Sequence, residues 1–229
     1  MAQSIKVLSS MATRALLVEL VERARKALGT EIELESIAGV GAAKKVAEGA
    51  VVDVVVLADS AIVDLAGAGW LDSASRTGLV RSSMVAAVRA GAERPDISTE
   101  DRLRDAVAAA SRVGYSTGPS GQHLLGLLER WDMMAEAGKR LVQAPPGVPV
   151  GTLIADGRAD LGFQQLSELM DLPGVAVLGA LPAPVDHTTV FSGAVALRSR
   201  FAAEAGELLR YLTLAEHDDL KRQRGMDPA

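Results

Sequence analysis

The sequence predicts an α/β fold in which one lobe is inserted into another, the two joined by a pair of crossing strands. Three observations predict it. Apolar strands alternate with amphipathic helices along the 229 residues. Hydrophobic residues make up 48% of the chain but aromatics only 3%, so the core must be built from Ala, Val, Leu and Ile, which let helices lie close on a sheet. Two unusually long extended segments, 79–91 and 187–197, bracket a second set of strands and helices. The expected boundaries are 1–82 with 192–229 for the first lobe and 83–191 for the inserted one.

The first lobe opens with a short strand at 5–8 and an amphipathic helix at about 11–28. Leu16, Leu17, Leu20, Val21 and Leu28 recur there at helical spacing, and Gly29 is placed to cap the end. Residues 31–37 alternate charge with Ile and Leu, the pattern of a half-buried strand. Gly39-Val40-Gly41 opens a second helix that ends near Gly49, and 51–57 is a nearly all-apolar strand broken by Asp53. A helix follows Asp59 and stops near Gly67. This β-α-β-α-β-α order is that of a parallel sheet covered by helices.

The inserted lobe begins along the first long segment. Residues 98–101 resemble a capping box for a helix running to about Ala110. A strand at 112–116, a helix after Gly121 and a strand at 140–143 follow. Helix 148–156, strand 160–163, a short helix 164–170 and strand 175–178 complete the set. After the second long segment, helices at about 201–213 and 216–223 close the chain.

A formal net charge of −5 with both signs interspersed excludes the basic stripe of a nucleic-acid surface, but not a local anion pocket. The absence of cysteine excludes disulfides, thiolate metal sites and cysteine nucleophiles. No apolar run is long enough for membrane insertion. No charged-then-apolar leader precedes Ile5, so the sequence as it stands reads as cytoplasmic, or as periplasmic if a signal peptide has been removed. No apolar stripe is left over for self-association, so a monomer is expected.

The strand-to-helix junctions carry the functional reading. In a parallel α/β sheet they lie at the carboxyl ends of the strands, where helix N-termini offer unpaired N–H groups and partial positive charge. Ser9-Ser10, Gly39-Val40-Gly41, the run Ser116, Thr117, Gly118, Pro119, Ser120, Gly121, then Val148 and Gln164-Gln165 all fall at such junctions. Glycines permit close backbone approach and hydroxyls add donors, so loops of this kind hold small anions without many basic residues. Arg81 falls on a crossing strand, as either a surface ion-pair residue or a contact to several carboxylates. A serine before a helix is also the commonest N-cap.

His123 lies one turn into a helix, His187 beside the second crossing segment, and His217 on a charged helix expected to be exposed. Three scattered histidines without cysteine give no metal-ligand spacing, and no cofactor is implied. Asp53 is expected to meet a strand edge or helix end, and Asp59 to cap the following helix. There is no phosphate-binding loop, nucleophile elbow or zinc-protease motif, and Gly39-Val40-Gly41 lacks the rest of a dinucleotide fingerprint.

Three stretches, "IKVLSSMATRALLVELVERA", "AGVGAAKKVAEGAVVDVVVLAD" and "DGRADLGFQQLSEL", resemble the molybdate-binding-like group of solute-binding proteins. The resemblance implies two Rossmann-like lobes of the type II periplasmic-binding-protein fold, an anion held in the interlobe cleft and, for an exported protein, an ABC permease as partner. It also implies hydroxyls from the first two loops, N–H groups of the second lobe and a tyrosine on the oxyanion. Here the first loop keeps Ser9-Ser10, the second has no hydroxyl, and the tyrosine loop reads Gly162-Phe163-Gln164-Gln165. Amides suit carboxylates, hydroxyls or mixed donor–acceptor ligands better than a bare tetrahedral dianion.

Bacterial aconitate isomerase is similar to the same group. That similarity implies an alternative: an isomerase or tautomerase moving an allylic proton on an unsaturated di- or tricarboxylate such as aconitate. The chemistry needs a base within reach of the carbon acid and donors for the developing enolate-like charge. Glu168 and His123 are the candidates for the base.

Overall fold

The computed structural model describes residues 4–229. The chain forms two compact units, Met1–Arg81 with Val190–Ala229 and Ser82–Thr189, and passes from one to the other within two long strands.

In the first unit, β1 (Ser4–Ser10) pairs in parallel with β2 (Glu31–Ile37) and β3 (Val54–Ala58), and β3 pairs antiparallel with β9 (Thr188–Val195). Alternation along the strands sorts the core into two layers. Ile5, Val7, Val54 and Val56 face the helices α1 (Arg14–Leu28) and α9 (Ala202–Leu212), through Leu16, Leu17, Leu20, Leu208 and Leu209. Leu8, Val55 and Leu57 face α2 (Gly39–Ala47) and α3 (Asp59–Gly67), through Ala42, Val46, Ile62 and Leu65. Gly29 ends α1 in the left-handed conformation, as its position in the sequence predicts.

In the second unit, β5 (Val113–Tyr115) lies between β6 (Leu141–Gln143) and β7 (Leu161–Gln165), all parallel. β4 (Thr77–Arg89) runs antiparallel to β7, and β8 (Val175–Ala180) antiparallel to β4. Met84, Ala86, Val88 and Phe163 share a core with α4 (Glu100–Ala109), α5 (Pro119–Arg130) and the short α6 (Met134–Ala137). Val85 and Ala87 share the other face with α7 (Val150–Ala155) and α8 (Leu166–Leu169). Gly114 and Gly162 sit opposite each other on β5 and β7; a methyl on either would press into Val150 of α7, so α7 lies on the sheet backbone itself.

Several boundaries differ from the sequence reading. α5 begins at Pro119 and holds Gly121 in its first turn. Gln164 and Gln165 are the last residues of β7, because β4 pairs with both of them, Met84 opposite Gln165 and Val85 opposite Gln164. Thr99, not Ser98, caps α4, its hydroxyl accepting from the Arg102 N–H. β10 (Asp227–Pro228) adds to β4 at Arg81 and Val80, a pairing that sequence pattern did not disclose. His217 is buried, not exposed: the 3-10 turn Ala215–His217 precedes α10 (Asp218–Gln223) and turns the ring against Tyr211 at 4.8 Å between centroids.

Candidate functional site

In the first unit β1 runs straight into Ser9 and Ser10, both buried. The Ser9 hydroxyl shares a hydrogen bond with the Ser36 hydroxyl at 2.7 Å. The Ser10 carbonyl accepts from Thr13 Oγ1 at 3.1 Å, which fixes the turn into α1. The Ser10 hydroxyl is different. It makes no cap bond and, among the described residues, has no protein partner although it is shielded from solvent. α2 opens beside it: a Cβ on Gly39 would lie 3.6 Å from that of Ser10. No side chain caps α2, so the amides of Gly39, Val40 and Gly41 are left to an external acceptor next to an idle hydroxyl.

The third helix N-terminus of this unit is already filled. Asp59, the first residue of α3, accepts from Arg76 Nε at 2.8 Å and Nη2 at 2.5 Å, and from the Ser192 hydroxyl at 2.5 Å. The N-cap position belongs to Ala58, so Asp59 supplies its charge from within the first turn. The Arg76 hydrogen bonds, aided by Ser192, hold its carboxyl below the usual carboxylate range against the opposing effect of burial. Asp53 ties β1 to the approach of α9, accepting from the Lys6 N–H at 2.8 Å and the Ser199 hydroxyl at 2.6 Å. Arg81 is exposed and donates to the Pro228 carbonyl at 3.1 Å, which anchors the C-terminal strand.

In the second unit the loop between β5 and α5 folds back on itself. Ser116 Oγ accepts from the Gly118 N–H at 3.2 Å and shares a hydrogen bond with Ser120 Oγ at 3.0 Å. A side chain at Gly121 would fall on the Ser116 carbonyl oxygen, so only glycine lets the loop close over the helix start. Gly118 caps α5 through its backbone alone, and Thr117 lies half-buried beside it. The Val148 N–H closes a turn onto the Pro145 carbonyl at 3.0 Å, two residues before α7.

The two glutamines at the end of β7 part ways. Gln164 Oε1 accepts from the Val150 N–H at 2.6 Å, and its side chain also hydrogen-bonds Glu168 on α8. Burial raises the Glu168 carboxyl to about 7, only partly offset by that bond, so near neutral pH it is poised to take or give a proton. Gln165 Nε2 donates to Thr189 Oγ1 at 2.7 Å, which in turn lies 3.2 Å from His187 Nε2. The His187 ring stacks on His123 at 4.5 Å, and His123 Nε2 sits 3.0 Å from the Val185 carbonyl. Burial first, then the neighbouring His123, pushes the His187 ring below its ordinary pKa, while Asp186 pulls the other way. Gln165 Oε1 is buried and has no protein partner among the described residues.

The structure thus gathers Ser10 with Gly39, Val40 and Gly41 in one unit. In the other it gathers Ser116, Ser120 and Gly121, and separately Gln165 with His123. Thr189 and His187 were missed as companions of Gln165. Their spacing of two in an extended segment, which puts them on one face, was the available signal. Among the described residues no group of three or more His, Asp or Glu side chains could hold a metal ion, and no helix is long and apolar enough to cross a membrane.

Residues 5–227 match the family model described as bacterial extracellular solute-binding protein. The chain is 31% identical to an aconitate isomerase of a Pseudomonas species, over 98% of this chain and 88% of that one. Among solved structures, the periplasmic molybdate-binding protein of Azotobacter vinelandii superposes with a TM-score of 0.80 at 18% identity, covering 98% of this chain and 99% of that one. The sulfate-binding protein of Mycobacterium tuberculosis superposes with a TM-score of 0.76 at 15% identity, covering 99% and 87%. At these identities the structures establish the fold, that of the periplasmic solute-binding proteins.

Proposed function

Because the chain belongs to the family of bacterial extracellular solute-binding proteins, we propose that it binds a small anion, a carboxylate or an oxyanion, through donors at its helix N-termini. The observation that carries this reading is the Ser10 hydroxyl, buried without a partner beside the uncapped start of α2. A buried hydroxyl left idle costs stability, so a fold keeps one where a ligand completes it. Ser116, Ser120 and the start of α5 offer a second set of donors in the other unit. The free Gln165 oxygen, an acceptor, favours a carboxylate that also brings a hydrogen over a tetrahedral dianion that brings none. An ABC permease is the partner to which an exported form would deliver the solute.

The test is a thermal-shift screen of molybdate, tungstate, sulfate and di- and tricarboxylates, followed by calorimetry on the hits. A carboxylate should raise the melting temperature. Ser10→Ala should weaken its binding by roughly 1–3 kcal/mol, as expected for a hydroxyl that donates to a charged group. Failure of every anion to shift the melting transition would remove the reading.

Glu168 favours a second reading, an allylic proton shift on an unsaturated carboxylate. A carboxyl held at about 7 can remove a proton from a carbon acid at neutral pH and return it to the other end of the allyl system. The electron pair left on carbon delocalises onto a substrate carboxylate, whose added charge the helix N-termini would stabilise. The likeness to an aconitate isomerase agrees with that chemistry. Deuterium uptake into cis- or trans-aconitate in heavy water, with catalytic amounts of protein, would establish it; no uptake with bound aconitate would leave binding alone.

A further inference from the structure

We propose that Gln165 sets ligand specificity: its buried side-chain oxygen accepts a hydrogen bond from the bound anion, so the site selects carboxylates that carry a hydroxyl over those that present only oxygens without hydrogen. The inference rests on the reading of the chain as a carboxylate binder and names the class of carboxylate.

The two neighbouring glutamines supply the contrast. Gln164 is used up inside the protein, its oxygen on the Val150 N–H and its amide on Glu168. Gln165 is equally buried, at 2% exposure, yet only one end of its amide is engaged. Its nitrogen donates to Thr189 Oγ1 at 2.7 Å. A threonine hydroxyl that accepts there has one hydrogen left to give, and His187 Nε2 lies 3.2 Å away to receive it. The chain of bonds therefore runs from Gln165 through Thr189 to His187. The stacked His123 is a donor to the Val185 carbonyl, since a carbonyl can only accept. With Gln165 Nε2 as the donor to Thr189, the free end of Gln165 is the oxygen, an acceptor. A carboxylate oxygen placed against it is repelled; a hydroxyl beside the carboxylate satisfies it.

Reversing the amide would require a hydrogen on His187 Nε2, passed to Thr189, with the Thr189 hydroxyl turned toward Gln165. Gln165 would then present its NH2 group and prefer a ligand without the hydroxyl. The charged and titratable neighbours of His187 are His123, which opposes protonation, and Asp186, which favours it.

Calorimetry on the full chain with matched pairs, malate against succinate and citrate against tricarballylate, tests the inference. Each pair differs by one hydroxyl. The hydroxylated member should bind at least roughly tenfold more tightly, because a polar group built to meet a hydroxyl is left unpaired by the analogue. Gln165→Leu should bring the ratio to about one. Equal affinities within the pairs in the native protein, or a ratio unchanged in Gln165→Leu, would overturn it. Because the native ratio is itself decisive, a variant that fails to fold does not protect the idea. Loss of all carboxylate binding would overturn the broader reading along with it, whereas binding without hydroxyl preference would overturn only the role of Gln165.

Discussion

Replacing Glu168 by Gln should stabilise the protein in alkaline solution and leave it unchanged in mild acid. The Glu168 carboxyl is raised from its ordinary value of 4.5 to about 7 by burial, opposed only by the Gln164 hydrogen bond. The folded state therefore keeps a proton that the unfolded chain releases, and stability falls as pH rises through that interval. At 1.36 kcal/mol per unit, the shift corresponds to about 3 kcal/mol of lost stability once the group is ionised. That figure is an upper bound, because Glu168 is half-buried and water can relax around its charge. Glutamine mimics the protonated acid and can still accept from Gln164, so it should recover most of the loss. Melting curves of both proteins from about pH 5 to pH 9 measure the effect. The difference should be near zero at the acid end and grow to several degrees at the alkaline end. A difference that stays constant with pH would refute the reasoning, since it would mean that Glu168 ionises as freely in the fold as in the unfolded chain. The same variant divides the two functional readings. Anion affinity should survive it, and any deuterium exchange into aconitate should not.

His217 should produce a slope of the opposite sign. Burial lowers its pKa from 6.5, both ring nitrogens lack hydrogen-bond partners among the described residues, and Glu216 at 3.6 Å is too far to supply one, so stability is full above pH 6.5 and lost as pH falls below it. Urea titrations of His217→Phe, which keeps a ring against Tyr211, should lack that acid slope. Gly121→Ala should cost about 1–3 kcal/mol by forcing the Ser116 loop off the start of α5, and calorimetry should show weakened anion binding as well. Ser10→Ala should act in opposite directions on the two properties: the ligand-free protein gains up to about 1 kcal/mol in thermal melts by losing an idle buried hydroxyl, while affinity falls.

The elements that sequence disclosed are those whose signal is local. Leu16, Leu17, Leu20 and Val21 of α1 announce their buried face by spacing alone, and Gly29 announces the end of the helix by its conformation. The errors fall where a distant partner decides. Gln164 and Gln165 look like a helix start, yet β4, some eighty residues earlier, claims both of them for the sheet. Asp227–Pro228 has neither length nor propensity for a strand, and pairing with Val80 and Arg81 makes it one. His217 has Glu216, Asp218 and Asp219 around it and so reads as surface. The 3-10 turn shifts the phase of the helix by enough to carry it inward.

The same division separates the legible part of the candidate site from the rest. Glycines and hydroxyls at strand ends are local features, and the sequence alone singles out Ser10, Gly39, Ser116, Ser120 and Gly121. Which of these donors is still free is not a local property. Ser9 and Ser10 are adjacent and chemically identical, but Ser9 is bonded to Ser36 on β2 while Ser10 is left idle. Gln164 and Gln165 repeat the pattern, one bonded at both ends and its neighbour at one. In each pair strand alternation turns the two residues to opposite faces, and one of them keeps a buried polar atom without a partner among the described residues. Hydrogen bonds that the fold leaves unmade, one hydroxyl and one amide oxygen, therefore say more about the ligand than the motif that led to them. The first can serve an anion's oxygen, and the second calls for a partner that brings a hydrogen.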